Sequence, residues 1–455
     1  MRIGRVAAVL LLLCVARAWG TERPQVYLII VDGLDARAAT AARMPNLFGL
    51  LRDEPARTSV FAHARAVMPS RTNSNHATLV TGVYPEVHGI TGNAWWSRSP
   101  GALAAKLDDA ARIEVETLFT VAHEAVPPVT TFGAFAKAKL VHLLATATEH
   151  QRAPDRLWSP SDAPESGRDP VTRYSTDAAT MDGVLAKLAE APADLTIVNL
   201  ADVDRHGHGD GPGSDAYVAA ITGADAAIGR LIAALHAQGR WERSVLLVTS
   251  DHGFTDVQPT PERPAPVVSL GKELAAAGVR GVHLVADGGV EHVYADGVRP
   301  DAKDVGDDRE TLAQVAAIAR RTPGVVEVLA RLPVPGVPAL ATIHPDWHVG
   351  HERMGELILV AAPGHQLVDP WDDVDGQLKG NHGGPGELDV PLVVSGGSPV
   401  LRAAPADTPA PGAVDVAPTI ALLLGLRTPT RTDGGAVPPA LAGRPIRAVL
   451  SAGVR

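Results

Sequence analysis

The stretch QVYLIIVDG (residues 25–33) is a continuous apolar run that ends in an acidic residue and a glycine. A run of this length that is apolar on both faces fits a buried strand of a parallel sheet better than a half-exposed strand. Four more runs share this character: DLTIVNLAD (194–202), SVLLVTSDHG (244–253), GELILVAAPG (355–364) and DVPLVVSGG (389–397). Helical patterns lie between the runs, most clearly over residues 215–238. This alternation predicts an α/β protein with a mostly parallel sheet and helices on both faces.

The composition is that of a soluble globular protein of 455 residues, with 45% hydrophobic and 20% charged residues. Such a chain is long enough for one large domain with an insertion or for two ordinary domains. The formal net charge of −10 argues against a nucleic-acid scaffold, because no basic stripe is present to neutralise phosphates. An anionic substrate would therefore need local positive charge, and bound metal is one source of it.

Residues 1–20 have the three parts of a secretory signal peptide. A start with two arginines precedes an apolar core (residues 6–15), which is too short to span a bilayer comfortably, and a small-x-small cleavage pattern ends at Ala18. The pattern predicts export to the periplasm or the cell exterior, and no other segment is predicted to cross a membrane. Cys14, the only cysteine, would leave with the signal, so the mature protein would have neither a disulfide nor a thiolate nucleophile.

The strand–helix alternation is interrupted by prolines and charged residues in the segment DVQPTPERPAPVV. We interpret residues 263–370 as an insertion or cap subdomain between two parts of the catalytic α/β domain, residues 21–262 and 371–455. Inside the insertion the pattern predicts a helix over residues 309–321 and short strands such as GVEHVYADG. The stretch DVAPTIALLLGL (residues 415–426) predicts a final helix packed on the core.

Aspartates and histidines follow or approach the ends of the predicted strands. They are Asp32, Asp204, His208, Asp251, His252 and His382. Each one alone is compatible with a helix cap, a turn or a solvated loop residue. Together they favour a site, because a parallel sheet gathers the carboxyl ends of its strands along one edge, where ligands bind. Three histidines and three aspartates form the nitrogen and oxygen ligand set that zinc takes in sites with an open position.

Five motifs in a fixed order make the sequence similar to a known family: VDGL, TNSNHATLVTGVYPEVHGITGN, DVDRHGHGDGP, SDHGF and GNHGG. The ordered set resembles the alkaline phosphatase superfamily and, within it, the nucleotide pyrophosphatase/phosphodiesterase branch. The resemblance runs from Asp32 to about Leu426. It implies an alkaline-phosphatase-like α/β core with an inserted cap subdomain.

The resemblance also implies two Zn²⁺ ions per chain. One ion would be held by Asp204, His208 and His382. The other would be held by Asp32, Asp251, His252 and the nucleophile, which aligns with Thr72. Asn93 falls where the family places a side-chain donor to a non-bridging phosphate oxygen.

Thr72 precedes a predicted helix over residues 74–83, so its hydroxyl would lie at the positive end of the helix dipole. Zinc binding would lower the pKa of that hydroxyl further. Ser70 and Ser74 are neighbouring candidates, but Ser70 follows a proline in the loop and Ser74 is better explained as a cap. The implied reaction has two steps: Thr72 displaces the leaving group from phosphorus, and water then hydrolyses the phosphothreonine intermediate.

These features predict a hydrolase that cleaves phosphodiester or phosphoanhydride bonds in a small-molecule substrate. The chain departs from the family at Asn73, where an aromatic residue commonly helps to stack a nucleotide base. A preference for nucleotides therefore stays open, and Trp95 and Trp96 are interpreted either as alternative stacking residues or as buried residues. Neither the leaving group nor the oligomeric state follows from the sequence.

Several alternatives stay open within the same fold. PSRTN and VHGITGN also resemble the phosphonoacetate hydrolase branch, which applies two-zinc threonine chemistry to a C–P bond. A phosphomonoesterase would need an extra cation for a dianionic phosphate, and the sequence offers only Arg71, which is equally compatible with a solvated position. A non-catalytic exported binding protein would be marked by loss of a ligand or the nucleophile, and none is lost. A sulfatase is disfavoured because Ser70-Arg71-Thr72 does not supply its modified-nucleophile motif.

Overall fold

A seven-stranded sheet forms the centre of the structure. The computed structural model describes residues 23–99, 102, 104–368 and 378–454, so the predicted signal peptide lies outside the described residues. Six of the strands point the same way, and the seventh runs against both of its neighbours. In spatial order the strands are Ser59–Arg65, Asp389–Ser395, Ser244–Thr249, Gln25–Val31, Leu195–Leu200, Thr131–Phe135 and Arg156–Trp158.

The strand Gln25–Val31 lies in the middle of this sheet, and all seven of its residues are buried. Its side chains pack alternately into two different hydrophobic cores, because successive residues of a strand point to opposite faces of the sheet. Leu28 and Ile30 belong to the core on one face, whereas Tyr27 and Ile29 belong to the core on the other. The prediction of a buried, mostly parallel sheet is therefore confirmed.

Helices cover both faces of the sheet, as predicted. On one face lie Thr72–Thr81, Leu118–Glu124, Ala138–Leu144 and Val416–Leu424, and on the other lie Pro45–Asp53, Asp177–Glu190, Asp202–Asp210 and Asp215–Ala237. The last of these is, within the described residues, the one helix long and apolar enough to cross a membrane by length and composition. It packs Ile221, Ile228 and Leu231 into the core, which accounts for its apolar character.

A second sheet, with four antiparallel strands, lies outside the main sheet; we call it the cap sheet. Its strands in spatial order are Val282–Asp287, Val290–Ala295, Leu357–Ala361 and Val325–Ala330. The helices Leu270–Ala276 and Arg309–Ala319 form a separate core with it, while Val290 and Ile358 join one of the main cores. Two short helices also lie at Pro85–His88 and Leu340–Ile343. The division of the chain at residues 263 and 370 stays a proposal, and its second boundary lies outside the described residues.

The prediction of parallel strands for GELILVAAPG and DVPLVVSGG is wrong. The first forms Leu357–Ala361, which is buried on both faces because the cap sheet lies between its own helices and the main core. The second forms Asp389–Ser395, which is antiparallel to both neighbours. A continuous apolar run indicates that both faces of a strand are buried. An antiparallel strand can also be buried on both faces, so the run does not determine the strand's direction.

The reversed strand Asp389–Ser395 has a consequence for the site. Its amino end lies at the edge of the sheet where the parallel strands have their carboxyl ends. The loop before this strand carries His382, so this residue reaches the same edge as Asp32 and Asp251, which follow parallel strands. Strand direction therefore brings a residue from the distant end of the sequence to the predicted site.

Candidate active site

The hydroxyl group of Thr72 lies on the first residue of a buried helix, Thr72–Thr81, which begins two residues earlier than predicted. Arg71 is the N-cap residue and has extended backbone angles (φ −115°, ψ 152°). N–H groups in the first turn of a helix lack intrahelical acceptors, and the helix dipole is positive there. The backbone and the hydroxyl of Thr72 therefore lie in a place suited to an anion.

The two neighbouring serines are committed to contacts with the backbone. Ser70 Oγ donates to the carbonyl oxygen of Gly384 at 2.6 Å, and Ser74 Oγ donates to the carbonyl oxygen of Pro69 at 2.9 Å. The hydroxyl of Thr72 instead lies 3.5 Å from His252 Nε2. The structure therefore favours Thr72 over both serines as the group that faces a substrate.

One carboxylate oxygen, Asp204 Oδ1, faces three imidazole nitrogens. It lies 3.5 Å from His208 Nε2, 3.6 Å from His382 Nε2 and 3.9 Å from His252 Nε2. The Nε2 atoms of His208 and His382 are 3.2 Å apart. Asp204 Oδ1 is buried and makes no hydrogen bond to any described residue. A buried oxygen without a donor among converging imidazoles has the arrangement of a cation site.

A second group of ligand atoms converges around His252 Nε2. Asp251 Oδ2 lies 3.3 Å from this nitrogen, Asp32 Oδ1 lies 3.6 Å from it, and Thr72 Oγ1 lies 3.5 Å from it. Asp32, Asp251 and His252 have no exposed side-chain surface. Asp251 Oδ2 is buried and, like Asp204 Oδ1, has no hydrogen-bond donor among the described residues. The structure thus brings all seven predicted metal-ligating residues into two adjacent groups.

The three histidines are oriented by backbone carbonyl groups through their Nδ1 atoms. The contacts are His208 Nδ1 to Gly380 O at 3.0 Å, His252 Nδ1 to Gly253 O at 3.0 Å and His382 Nδ1 to Ser70 O at 2.7 Å. An Nδ1–H that donates to a carbonyl leaves Nε2 unprotonated and directed into the site, which is the form that binds a metal. Burial lowers the pKa of both His208 and His252 to about 4, which favours the neutral ring.

Asp32 and Asp204, on the sheet edge, have opposite pKa shifts. Burial, reinforced by the nearby charge of Asp251, raises the pKa of Asp32 to about 7. Burial also acts to raise the pKa of Asp204, but the charges of Lys137 and His208 outweigh it and hold that pKa well below its usual range. The pKa of Asp251 is likewise held below its usual range, because burial is outweighed there by His252 and His76. Negative charge is therefore concentrated on Asp204 and Asp251, and a cation bound beside Asp32 would favour its ionised form as well.

A histidine that the sequence analysis did not select, His76, supports the second group. Its Nδ1 lies 2.9 Å from the carbonyl oxygen of Thr72 and 3.3 Å from Asp251 Oδ2, and its Nε2 accepts from the amide of Asn199 at 3.2 Å. Asn199 also donates to Asp32 Oδ2 at 2.9 Å. Because both nitrogens of His76 already have partners, we assign it to orientation of the carboxylates rather than to metal binding. A polar residue in the middle of the apolar run TIVNL is the sequence signal for Asn199.

Lys137 is a buried cation that the sequence analysis missed. Its Nζ lies 2.7 Å from Asp32 Oδ1 and 2.6 Å from Asp204 Oδ2, and its side chain is 1% exposed. Lys137 follows the strand Thr131–Phe135, which the sequence analysis did not recognise. Lys137 lies just beyond the carboxyl end of this strand. Recognition of the strand would therefore have placed Lys137 at the edge of the sheet that carries Asp32 and Asp204.

Replacing Lys137 with methionine is expected to destabilise the metal-free protein by about 3 kcal/mol, because two buried carboxylates would lose their shared counter-ion. Added zinc should remove most of this difference, because the metal would neutralise the same carboxylates. Chemical unfolding of wild type and variant, with a chelator and with zinc, measures both effects. Lys272→Met, at an exposed helix position, is the matched control and should shift stability by less than about 0.5 kcal/mol in either condition. Equal destabilisation with and without zinc would contradict the interpretation that Lys137 and the metal neutralise the same two carboxylates.

Asn93 lies beside the start of the helix Thr72–Thr81. Its Oδ1 accepts from the backbone N–H of Asn73 at 3.1 Å, so its amide nitrogen is the atom left to donate to a ligand. The side chain of Asn73 is buried and donates to the carbonyl oxygen of Leu107 at 2.8 Å. Asn73 therefore has a structural contact at the position where the family places an aromatic residue.

The two tryptophans that follow Asn93 differ in exposure. Trp96 is buried and stacks on His283 at a ring separation of 3.8 Å, so it does not offer a free face. Trp95 is partly buried, and the guanidinium groups of Arg112 and Arg353 lie 5.6 Å from its ring. Only Trp95 keeps the exposure that a stacking residue needs.

The donor set fits metal ions: two carboxylate oxygens without hydrogen-bond donors among the described residues, neutral imidazoles with Nε2 directed inward, and a hydroxyl group 3.5 Å from one of these nitrogens. A largely parallel sheet that presents such a set at its carboxyl edge is the arrangement of a metal-dependent hydrolase. The sequence model of the type I phosphodiesterase/nucleotide pyrophosphatase family matches residues 26–385. The chain belongs to this family, as the resemblance to the nucleotide pyrophosphatase/phosphodiesterase branch of the alkaline phosphatase superfamily predicted.

Curated relatives match about half of the chain. The rat ectonucleotide pyrophosphatase/phosphodiesterase family member 3 is 26% identical over 270 residues, which cover 52% of this chain and 25% of the relative. A human bis(5'-adenosyl)-triphosphatase is 23% identical over 242 residues, which cover 51% of this chain and 48% of the relative. The chain thus spans half or less of the length of these relatives.

Solved structures match most of the chain in fold. Murine ectonucleotide pyrophosphatase/phosphodiesterase 5 has a TM-score of 0.65 and 20% identity, and the match covers 89% of this chain and 96% of the murine chain. Phosphonoacetate hydrolase from Sinorhizobium meliloti 1021, in complex with phosphonoformate, has a TM-score of 0.63 and 20% identity. That match covers 87% of this chain and 94% of the hydrolase. The fold class predicted from the sequence is confirmed.

Proposed function

We propose that this protein is an exported two-zinc hydrolase that cleaves phosphodiester or phosphoanhydride bonds with Thr72 as its nucleophile. The observation that carries the proposal is that two adjacent Asp/His groups meet at His252, whose Nε2 lies 3.9 Å from Asp204 Oδ1 and 3.5 Å from the Thr72 hydroxyl at a helix N-terminus. The family assignment supports phosphodiester chemistry. An inactive threonine-to-alanine variant of the murine relative, in complex with AMP, supports a threonine nucleophile.

The two zinc ions would be held by the residues in the two groups. Asp204, His208 and His382 would hold one, and Asp32, Asp251, His252 and Thr72 would hold the other. Zinc would lower the pKa of a bound hydroxyl or water and neutralise charge on phosphate oxygens.

The protein groups would act in two displacements. Thr72 Oγ attacks phosphorus, the bond from phosphorus to the leaving oxygen breaks, and the phosphoryl group remains on Thr72 with its second ester group. Water then attacks the same phosphorus, and the bond to Thr72 Oγ breaks to restore the hydroxyl. The amide of Asn93 and the backbone N–H of Thr72 would donate to the equatorial oxygen on which charge develops.

A phosphonate hydrolase is the second candidate, and two cations near the site favour it. Lys137 contacts both Asp32 and Asp204, and Arg71 lies beside His382. The sequence analysis considered only Arg71 as an extra cation. The second cation in the structure is a reason to expect a substrate with more negative charge than a diester has. A carboxylated phosphonate or a phosphate monoester has that charge.

Parallel rate measurements decide between these candidates. We expect zinc-loaded protein to hydrolyse bis-p-nitrophenyl phosphate faster, by kcat/KM, than p-nitrophenyl phosphate or phosphonoacetate. A preference for phosphonoacetate would establish the second candidate, and a preference for the monoester would overturn both candidates in favour of a phosphomonoesterase. Protein that cleaves none of the three but binds phosphate would instead be an exported binding protein.

Export is proposed from the amino-terminal sequence. Amino-terminal sequencing of protein recovered from the periplasm or the medium tests it, and cleavage after Ala18 or nearby is expected. An intact first residue in cell-associated protein would contradict export.

A further inference from the structure

A tight turn of the cap sheet is pressed against the active-site backbone. The strands Val282–Asp287 and Val290–Ala295 are joined by Gly288, which has a φ of +71°, and Gly289. A Cβ atom on Gly288 would lie 2.1 Å from the carbonyl oxygen of His382, and one on Gly289 would lie 2.3 Å from Gly384 N. Only glycines allow this approach, which brings the last residue of the first strand to the edge of the site.

That residue, Asp287, contacts two groups of the predicted anion site. Its Oδ1 lies 3.0 Å from Arg71 Nε in an ion pair that is not aligned as a hydrogen bond, and its Oδ2 accepts from the backbone N–H of Asn93 at 3.2 Å. The carboxylate is 2% exposed and the side chain of Arg71 is 15% exposed. Partial exclusion of water makes such contacts stronger than their surface equivalents.

Arg71 connects the same carboxylate to the metal-ligating loop. Its guanidinium group donates to the carbonyl oxygen of His382 at 3.0 Å and to Asn381 Oδ1 at 3.3 Å. Arg71 is also the residue before Thr72 and the cap of its helix. Asp287 therefore holds, through one side chain, the residue before the nucleophile and the backbone of the phosphate donor Asn93.

We propose that Asp287 is a positioning residue for phosphoryl transfer, by which the cap fixes Arg71 and Asn93 around the reacting phosphate. This inference rests on the proposed function of the site. Without the carboxylate, Arg71 would be held, among the described residues, by its contacts to the loop of His382, and the backbone N–H of Asn93 would lose its acceptor. The donor groups would then be less well ordered before substrate binds, which reduces stabilisation of the transition state more than substrate binding.

The test uses zinc-loaded full-length protein with Asp287→Asn, which preserves shape, and Asp287→Ala. We expect kcat/KM for bis-p-nitrophenyl phosphate to fall about 10- to 100-fold, mainly through kcat. Affinity for orthovanadate, measured by titration calorimetry, should weaken by a similar factor, while zinc content should stay unchanged. Asp296→Ala is the matched control, because this residue lies just beyond the second strand of the same hairpin with a half-exposed side chain that contacts His283. The control should change none of these quantities.

A double variant separates positioning from a general effect on the fold. If Asp287 acts through Arg71, the loss in Arg71→Ala/Asp287→Asn should be smaller than the product of the two single losses. Full kcat/KM and full orthovanadate affinity in Asp287→Asn would overturn the inference and leave the proposed function intact. Loss of zinc in proportion to activity would also overturn it. If wild type cleaves no ester, but orthovanadate binds and Asp287→Asn weakens that binding, the proposed function and the role of Asp287 in phosphoryl transfer both fail, and Asp287 orders an anion-binding site instead. If wild type neither cleaves the ester nor binds orthovanadate, the proposed function and the inference about Asp287 are both overturned.

Discussion

Zinc-loaded Thr72→Ala protein is expected to hydrolyse bis-p-nitrophenyl phosphate at least about 10³-fold more slowly than wild type, because loss of a nucleophile removes both chemical steps. Ser70 and Ser74 cannot take over readily, since their hydroxyl groups already donate to backbone carbonyls. Steady-state rates with matched zinc content measure the effect. Binding of orthophosphate should be much less affected, because the ligand groups of Asp204 and Asp251 remain.

The matched control for this variant is Thr81→Ala on the same helix. Thr81 is buried at the other end of the helix, where its hydroxyl donates to the carbonyl oxygen of Ala77 at 2.8 Å. This substitution should cost stability without a comparable loss of kcat. Thr72→Ser, which retains a hydroxyl, should keep a measurable part of the activity. Equal activity in Thr72→Ala and wild type would eliminate Thr72 as the nucleophile.

Asp204→Asn is expected to cause the second large loss. Asp204 Oδ1 faces three imidazole nitrogens, so an uncharged amide there should release the metal held with His208 and His382. A metal ion contributes several kcal/mol to the stabilisation of transition-state charge, which corresponds to a loss of at least about 10³-fold in kcat/KM. Elemental analysis of purified protein should find one zinc ion per chain in the variant and two in wild type.

Asp210→Asn is the control for this substitution because Asp210 lies on the same helix, Asp202–Asp210, and contacts only His206 among its side-chain partners in the described residues. This control should retain both metal ions and full activity. Two zinc ions in Asp204→Asn would mean that the metal-binding residues are assigned incorrectly. Full activity with one zinc ion would mean that the Asp204 site is not required for the reaction.

Most of the central sheet could be predicted from the sequence, and there are physical reasons why the remaining strands could not. The strands Gln25–Val31, Leu195–Leu200 and Ser244–Thr249 are long and apolar on both faces, so burial is visible in their composition. Ser59–Arg65 exposes part of its length at the sheet edge, and Thr131–Phe135 is interrupted by a glycine. Neither has the continuous apolar run that marks a buried strand.

The proposed metal-ligating aspartates and histidines could be selected from the sequence because each follows or approaches a recognised strand within a specific motif. The residues that support them were not, since their roles depend on contacts between distant segments. Lys137 follows the strand that was missed, and Asp287 approaches Asn93 only because the cap hairpin folds onto the site. Contacts between distant segments determine the charge and shape around a site. A sequence motif identifies the candidate ligands but not these contacts.

The central claim is that turnover passes through a covalent bond between phosphorus and Thr72. The most direct test is rapid acid quenching of zinc-loaded protein during hydrolysis of bis-p-nitrophenyl phosphate, followed by mass spectrometry of the peptides. The account predicts a p-nitrophenyl phosphoryl group on Thr72 Oγ in wild type, and no such group in Thr72→Ala. A phosphorylated Ser70 or Ser74, or rapid turnover with no covalent adduct at any time point, would contradict it.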